Sequence, residues 1–233
     1  MALSLMPRIV PQTKDVCKGA VFFLHGSGDT GIGIQDWLRS ILDDDFKFPH
    51  LKVIFPTAPL RPYTPNNGGK SYVWFDRKNI SPFVSEHETL DETAKSLSQL
   101  IQTEVDGGIP LSRIIIGGFS MGGAMSYHMA YRYFPQVPGV FALSSFLNNG
   151  SSVFKALETV SDKSKLPKLF CCHGDLDQLV LPEWGLNTSK QLQDIGISTE
   201  FHKFNFYHEM NFKEISMLRE WILKLIPENS SQL

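Results

Sequence analysis

Short apolar runs alternate along the chain with segments that have helical spacing. The runs consist mostly of β-branched, aromatic and aliphatic residues, which is typical of buried parallel strands. Six of them predict strands, at 20–24, 53–55, 114–117, 139–143, 168–172 and 199–204. The alternation therefore predicts the α/β class, with a mostly parallel central sheet that is flanked by helices on both faces.

Four segments predict the helices between these strands, at 86–105, 121–134, 183–195 and 212–226. In the first of them, apolar side chains recur every three or four positions, as at Leu90, Ala94 and Leu97. The chain has 233 residues and no internal repeat or linker, so we expect a single domain over 1–233. Residues 1–17 and the polar tail 228–233 are expected to lie at its periphery.

One segment, 56–82, does not follow the alternation. It contains five prolines and the run Asn-Asn-Gly-Gly at 66–69, which predicts a long surface loop, and such loops often serve function. Within it, Trp74-Phe75-Asp76 is too apolar to be left in water. Two interpretations stay open: a packed anchor for the loop, or a wall of a binding site.

Composition and charge exclude several classes of function. The 22 Lys and Arg are balanced by 24 Asp and Glu, so we expect no nucleic-acid partner. No apolar stretch approaches the roughly 18 residues of a membrane-spanning helix. Prolines and charges interrupt the first 20 residues, and a signal peptide would need a continuous apolar segment there. We therefore expect a cytoplasmic protein.

The three cysteines fit the same compartment. Cys171 and Cys172 are adjacent and poorly placed to bridge each other, and with Cys17 one thiol must remain free. No spacing matches a zinc site, so we expect no metal. Cys171 and Cys172 end an apolar run and are expected to be small core residues, with a nucleophilic cysteine as the alternative.

The candidate chemistry begins at Gly118-Phe119-Ser120-Met121-Gly122, a Gly-x-Ser-x-Gly pattern. A predicted strand precedes it and a predicted helix follows, so Ser120 is expected on the tight strand-to-helix turn known as a nucleophile elbow. Glycines two before and two after the serine let the strand and helix approach each other without a Cβ clash. The alternative for Ser120 is an ordinary helix N-cap.

A nucleophilic serine needs a base and an orienting carboxylate, which in such folds follow it in the order acid, then histidine. His202 and His208 are the histidines late enough in the chain. His202 belongs to an alternating strand, whereas His208 lies in a loop, so His208 is favoured. Asp175 and Asp177 compete for the acid. Asp177 is favoured because it lies farther beyond its strand, with Asp175 as a turn residue that bonds its own backbone.

An oxyanion hole requires backbone N–H groups aimed at the reacting oxygen. Met121, directly after the serine, is expected to supply one. The glycine-rich segment 25–29 follows the first predicted strand and is expected to supply the other through Ser27. His25 is expected to hold this loop by hydrogen bonding. A phosphate-binding loop is disfavoured because no Walker lysine follows.

Six motifs together resemble the acyl-protein thioesterase and lysophospholipase family of α/β-hydrolases over about residues 18–226. They are LHGSGDTG at 24–31, PTAP at 56–59, WFD at 74–76, GGFSMGG at 117–123, ALS at 142–144 and CHGD at 172–175. The match is closest to one branch of the family, marked by Ser27, Met121 and the Tyr-His-Glu sequence at 207–209.

This resemblance implies an α/β-hydrolase fold and a serine hydrolase without a cofactor. The family's triad falls on Ser120, Asp177 and His208, and its oxyanion donors fall on Ser27 and Met121. Trp74 is expected beside the substrate, and Leu179 is expected to line the site with it. The implied substrates are thioesters of acylated protein cysteines, or esters of lysophospholipids and small acyl donors.

Departures from the family pattern lead to further expectations. The segment 66–71, apolar in the thioesterases, is polar here, which predicts a preference for short acyl chains. The chain begins Met-Ala-Leu rather than with the family's acylated terminus, so we expect no lipid anchor and only transient contact with a membrane surface. A silent hydrolase-fold binding module and a lipid carrier are the non-enzyme alternatives.

Overall fold

The computed structural model describes residues 5–228. The strands in this part of the chain are β1 (Pro7–Val10), β2 (Ala20–Leu24), β3 (Lys52–Pro56), β4 (Leu60–Pro62), β5 (Lys70–Tyr72), β6 (Ile114–Phe119), β7 (Gly139–Leu143), β8 (Lys168–Gly174) and β9 (Thr199–Phe204). The α-helices are α1 (Gly31–Leu42), α2 (Thr89–Asp106), α3 (Met121–His128), α4 (Ser152–Glu158), α5 (Pro182–Ile195) and α6 (Phe212–Leu225). A π-helical turn at Met129–Tyr133 extends α3.

Seven strands form the central sheet, in the order β1-β3-β2-β6-β7-β8-β9. All neighbours are parallel except β1, which pairs with β3 in the antiparallel direction. The register places Leu24 beside Gly118 and Phe119 beside Leu143. The loops after β2, β6, β8 and β9 therefore lie at the carboxyl edge of the sheet, where α/β proteins place their sites.

Buried apolar side chains cover both faces of this sheet. One cluster packs β2, β6 and β7 against α2 and α3, and contains Trp74, Tyr127 and Cys171. The other lies beneath α1 and α6 and contains Phe23, Phe141 and Cys172. The predicted α/β class, with a mostly parallel sheet between helices, is confirmed.

The six predicted strands and four predicted helices are all present, with ends that shift by a few residues. The predicted helix at 86–105 begins at Thr89, and Glu88 is its N-cap residue. At the start of α6, Asn211 and Glu214 form a reciprocal capping box, which fixes where this helix begins. The expectation that the tail 228–233 is peripheral concerns mainly residues 229–233, which lie outside the described range.

Part of the N-terminal segment 1–17 forms β1, an edge strand that the sequence did not predict. This strand continues the sheet beyond β3, with Val10 opposite Val53. It is a short edge strand with exposed side chains, so its sequence lacks the continuous apolar character of the inner strands. Proline is tolerated at such an edge, and Pro7 concealed the strand from pattern analysis.

Two helices were also missed. Thr30 caps α1 by accepting a hydrogen bond from the Gly33 N–H. Glycines in its first turn hid the helix, because glycine has a weak helix propensity. The helix α4 has only seven residues, too few to show a period.

The segment 56–82 is more ordered than a plain loop. It contains the antiparallel hairpin β4–β5, with Leu60 opposite Tyr72. The hairpin turns at Asn67 and Gly68, both with positive φ, a conformation that Asn and Gly adopt more readily than other residues.

No helix among residues 5–228 is both long and apolar enough to cross a membrane.

Candidate active site

Ser120 occupies a sharp turn between β6 and α3. Its backbone angles, φ 54° and ψ −119°, lie outside the regions that non-glycine residues normally adopt. Its own N–H donates to the Leu143 carbonyl at 2.8 Å, and its carbonyl accepts from the Ala124 N–H at 3.1 Å. The surrounding backbone thus holds the strained turn in place.

The glycines on both sides of Ser120 are required by the close approach of the chain. A Cβ at Gly118 or at Gly122 would collide with the backbone carbonyl of Leu24. A Cβ at Gly118 would also lie 2.6 Å from the carbonyl carbon of Gly122, so strand β6 and helix α3 approach each other as closely as the Gly-x-Ser-x-Gly spacing predicts.

Ser120, His208 and Asp177 form a continuous chain of polar contacts. The Nε2 of His208 lies 3.0 Å from the Oγ of Ser120, and its Nδ1 lies 2.7 Å from the Oδ2 of Asp177. With Nδ1 protonated and donating to the carboxylate, Nε2 is free to accept the serine proton. The ring of Phe119 supports the His208 ring at a centroid distance of 4.8 Å.

Asp177 is buried and well supplied with donors. Its Oδ1 accepts the N–H groups of Leu179 and Val180, each at 2.9 Å. Burial raises the pKa of the Asp177 carboxyl, but donation from His173 and His208 and from the Val180 N–H outweighs it, so the pKa lies well below its ordinary value. The carboxylate is therefore charged at neutral pH and stabilises the correct His208 tautomer.

The rejected candidates have other contacts. Asp175 forms an ion pair with Lys203 at 3.0 Å, rather than the expected bond to its own backbone. The ring of His202 packs at a tilt against that of Phe170, with a centroid distance of 5.3 Å, and its Nε2 lies 3.6 Å from the Glu200 carboxylate.

The glycine-rich loop at 25–29 lies directly beside Ser120. A Cβ at Gly26 would be 3.4 Å from the Ser120 Cβ. Ser27 follows in the half-exposed part of the loop, and Met121 is the first residue of α3. The N–H groups in the first turn of a helix have no partner within that helix, so Met121 is suitably placed to donate toward an oxygen at Ser120.

His25 holds this loop, as its sequence context predicts. Its Nδ1 donates to the Gly26 carbonyl at 2.6 Å, and its Nε2 accepts the Ala58 N–H at 3.0 Å. Burial lowers the pKa of His25 to about 4, so the ring is neutral near pH 7. It functions as a structural hydrogen-bonding group.

Trp74 is fully buried beneath the loop. Its indole N–H donates to the His25 carbonyl at 2.8 Å, and the two rings are 4.9 Å apart. The packed-anchor interpretation of Trp74 therefore describes its position here, and its direct contact with a substrate stays a prediction. Leu179, in contrast, is half exposed two residues after Asp177, and its contact with a substrate also stays a prediction.

Comparison with known proteins identifies the family. Residues 6–226 match the Phospholipase/Carboxylesterase family. The chain belongs to this family. It is 48% identical to mouse Lysophospholipase-like protein 1, over 95% of this chain and 93% of that one. It is 32% identical to Acyl-protein thioesterase 1 of Neurospora crassa, over 96% and 91%.

A solved structure extends the comparison. The Zea mays acyl-protein thioesterase 2 superposes with a TM-score of 0.82 at 25% identity, covering 95% of this chain and 99% of that one. The resemblance stated from the six motifs is confirmed, including its branch, which is the lysophospholipase-like one. For a member of the Phospholipase/Carboxylesterase family, the α/β-hydrolase fold follows.

The cysteines of this family member are not candidates for the nucleophile. Burial raises the pKa of Cys171 to about 12, and burial also raises the pKa of Cys172. Cys17 donates to the Gly19 carbonyl at 3.3 Å, just before β2 and so at the opposite edge of the sheet from Ser120. Within residues 5–228, no cluster of His, Cys, Asp and Glu could hold a metal ion.

One residue beside Asp177, His173, was not among the predicted site residues. Chain order excluded it as the base, yet its ring is buried 3.4 Å from the Asp177 carboxylate. The signal was present in the His-Gly-Asp sequence at 173–175, because a histidine at the end of a buried strand needs a polar partner nearby.

Proposed function

We propose that this chain is a serine hydrolase that cleaves acyl thioesters or esters through an acyl-enzyme intermediate. The observation that carries the proposal is the contact chain from Ser120 through His208 to Asp177. Membership in a family of phospholipases and carboxylesterases supports it.

The first half of the reaction forms the acyl-enzyme. His208 Nε2 accepts the proton of the Ser120 hydroxyl while Oγ attacks the acyl carbonyl carbon, and the carbonyl π electrons move to its oxygen. The N–H groups of Ser27 and Met121 donate to that oxyanion. When the tetrahedral intermediate collapses, the C–S or C–O bond breaks and the leaving group takes the proton from His208. Asp177 stabilises the transient imidazolium.

The second half repeats these steps with water. His208 takes a proton from a water molecule, whose oxygen attacks the Ser120 acyl ester. Collapse of the second intermediate returns the proton to Ser120 Oγ and releases a carboxylic acid. One water molecule and the chain's own residues account for every proton and charge in this cycle, so we propose that no cofactor takes part.

For the substrate, we propose acylated cysteines of proteins, with short acyl chains preferred. The names of relatives such as Acyl-protein thioesterase 1 support this class. A small-molecule carboxylesterase or lysophospholipase is the second candidate, supported by the family description. We further propose that the enzyme works in the cytosol, where its free thiols would remain reduced, and that it meets membranes only at their surface.

A fluorophosphonate probe tests the proposed reaction, because it labels an activated serine and leaves an ordinary serine unlabelled. We expect labelling of the wild-type chain and its loss in Ser120→Ala. Ser126→Ala is the matched control, since Ser126 is a buried serine of α3 that donates to the Gly122 carbonyl. An unlabelled wild-type chain would favour the silent binding module, and a label on a cysteine would assign the nucleophile elsewhere.

The substrate class needs a second measurement. Turnover of an acyl-thioester peptide, its oxygen-ester analogue and a lysophospholipid should be compared at equal concentrations of active sites, which are counted by fluorophosphonate labelling of a separate sample. We expect the thioester peptide to be hydrolysed with the highest kcat/KM. A higher value for the lysophospholipid would favour the second candidate.

A further inference from the structure

The ring of His173 connects two parts of the turn that carries Asp177. It lies near the end of β8 and is buried. Its Nε2 is 2.8 Å from the Val180 carbonyl, and because a carbonyl only accepts, this nitrogen carries the hydrogen. The same N–H is 3.4 Å from Asp177 Oδ2, the oxygen that also faces His208.

The turn and the ring thus form a closed set of contacts. The Val180 carbonyl accepts from His173, while the Val180 N–H donates to Asp177 Oδ1. Holding Val180 therefore holds one carboxylate oxygen, and the longer contact places partial positive charge beside the other. We propose that His173 is a positioning residue, which fixes the Asp177 carboxylate and shares its charge with His208. This inference rests on the proposed hydrolase function.

The neighbouring helix leaves space for this ring. Gly185 of α5 faces it, and a Cβ there would collide with His173 Nδ1 and lie 3.0 Å from the Ser145 carbonyl. On the other side, His173 pairs in register with Lys203 of β9, whose amine is engaged by Asp175. Asp177, in the turn after β8, is the charged side chain that the His173 N–H approaches, at 3.4 Å.

Loss of the His173 N–H should have two effects on catalysis. The carboxylate should be held less firmly, which lowers kcat. With one donor fewer, the carboxylate's negative charge should act more strongly on the imidazolium that His208 forms during catalysis. The acid limb of the pH profile of kcat/KM should then move upward in pH. A purely structural role predicts lower stability without this movement.

The experiment compares His173→Phe, which keeps a ring but removes the donor, with His173→Gln, whose amide nitrogen can occupy the Nε2 position. Rates are divided by the concentration of sites that react with a fluorophosphonate. For His173→Phe we expect kcat to fall roughly tenfold to a hundredfold, by analogy with other groups that orient site residues. We also expect an upward shift of the acid limb by about half a pH unit or more, and partial recovery of both values in His173→Gln.

The matched control is His50→Phe. His50 is also buried and donates from Nε2 to a backbone carbonyl, that of Ile226, but it lies just before β3, at the edge of the sheet opposite Ser120. The His50→Phe variant should be less stable, but the acid limb of its pH profile should not move. An unmoved limb in folded His173→Phe, or an equal movement in His50→Phe, overturns the inference.

A second variant covers the case in which His173→Phe does not fold. Gly185→Ala pushes on the ring while improving helix propensity, so we expect the acid limb to move upward here too. An unmoved limb in this variant, with His173→Phe unfolded, also counts against the inference. A wild-type chain without a labelled serine would instead contradict the proposed function.

Discussion

The indole of Trp74 donates a hydrogen bond to the carbonyl of His25, a residue that lies 49 positions earlier in the chain. This bond joins the segment of the β4–β5 hairpin to the loop that carries Ser27. A second bond, from the Gly28 N–H to the Tyr72 carbonyl at 2.9 Å, joins the same two segments. The position of the proposed oxyanion donor therefore depends on residues far from it in sequence.

Trp74→Phe should lower kcat/KM by about tenfold or more, because a buried donor is lost and the loop can move relative to Ser120. Trp221→Phe is the matched control, since Trp221 is buried in α6 and lies against Gly139 at the opposite edge of the sheet. The measurement is kcat/KM per active site, with the active sites counted by fluorophosphonate labelling of a separate sample, together with thermal unfolding. Equal losses of activity in both variants would assign no special role to Trp74.

The assignment of acid and base predicts a sharp contrast between neighbours. Asp177→Asn and His208→Ala should each reduce kcat by several orders of magnitude, about 10⁴-fold in comparable triads. Asp175→Asn and His202→Ala should change it only a few-fold, because their side chains contact Lys203 and Phe170 instead. Single-turnover rates with an activated ester provide the test. A folded Asp175→Asn with the larger loss would show that the acid is wrongly assigned.

These two predictions concern site residues that could be chosen from the sequence and contacts that could not. Chain order and loop position were enough to choose Asp177 and His208, because the order of a triad reflects the order of strands in the sheet. The His-Gly-Asp sequence indicated that His173 needs a polar partner, but it did not identify Asp177 as that partner, since the contact depends on how tightly the turn at 177–180 closes. For the same reason, Trp74 was left between two interpretations: its burial follows from the tertiary position of the hairpin.

Local structure was missed where the sequence contradicted local rules. Glycines at the start of α1 weaken its helical signal, and the Thr30 cap that compensates becomes visible only in the fold. Edge strand β1 is too short and too exposed to show the apolar character of a buried strand. Inner strands such as β2 are buried at every position, and these are the elements that the apolar pattern predicted well.

Glu214 predicts how stability depends on pH. It is buried at the start of α6, where its N–H donates to Asn211 Oδ1 at 3.0 Å. Burial raises the pKa of the Glu214 carboxyl from 4.5 to about 8. Between these values the folded chain keeps the proton and the unfolded chain releases it. Folding is therefore favoured below pH 4.5, and this contribution is lost as the pH rises toward 8.

Glu214→Gln removes this titration while keeping a side chain that suits the capping box. The free energy of unfolding of the wild type relative to this variant should decrease between pH 5 and 8, with a slope approaching about 1.4 kcal/mol per pH unit, the value for one proton. Urea unfolding at several pH values measures it. Parallel pH profiles for the two proteins would show that Glu214 is already charged in the folded state.

The proposed preference for short acyl chains rests on the hairpin beside the loop that carries Ser27. A Cβ at Gly28 would lie 3.5 Å from the Ser71 Oγ, so β5 borders the loop with polar side chains. Each methylene removed from water contributes about 0.8 kcal/mol only if apolar atoms cover it. Half-exposed Leu179 provides one apolar side chain near Asp177. On the hairpin, the side chains of Lys70 and Ser71 cover methylenes poorly. We expect kcat/KM to be highest for chains of a few carbons.

The double variant Lys70→Leu, Ser71→Leu should move this maximum toward longer chains, because it replaces polar cover with apolar cover while Gly68 keeps its positive φ. Lys190→Leu, at an exposed position of α5, controls for added surface hydrophobicity. The measurement is kcat/KM for a series of acyl thioesters from acetyl to palmitoyl. If kcat/KM of the wild type rose steadily with chain length, the acyl chain would be covered by other apolar residues. If the maximum did not move in the double variant, β5 would not determine the chain-length preference.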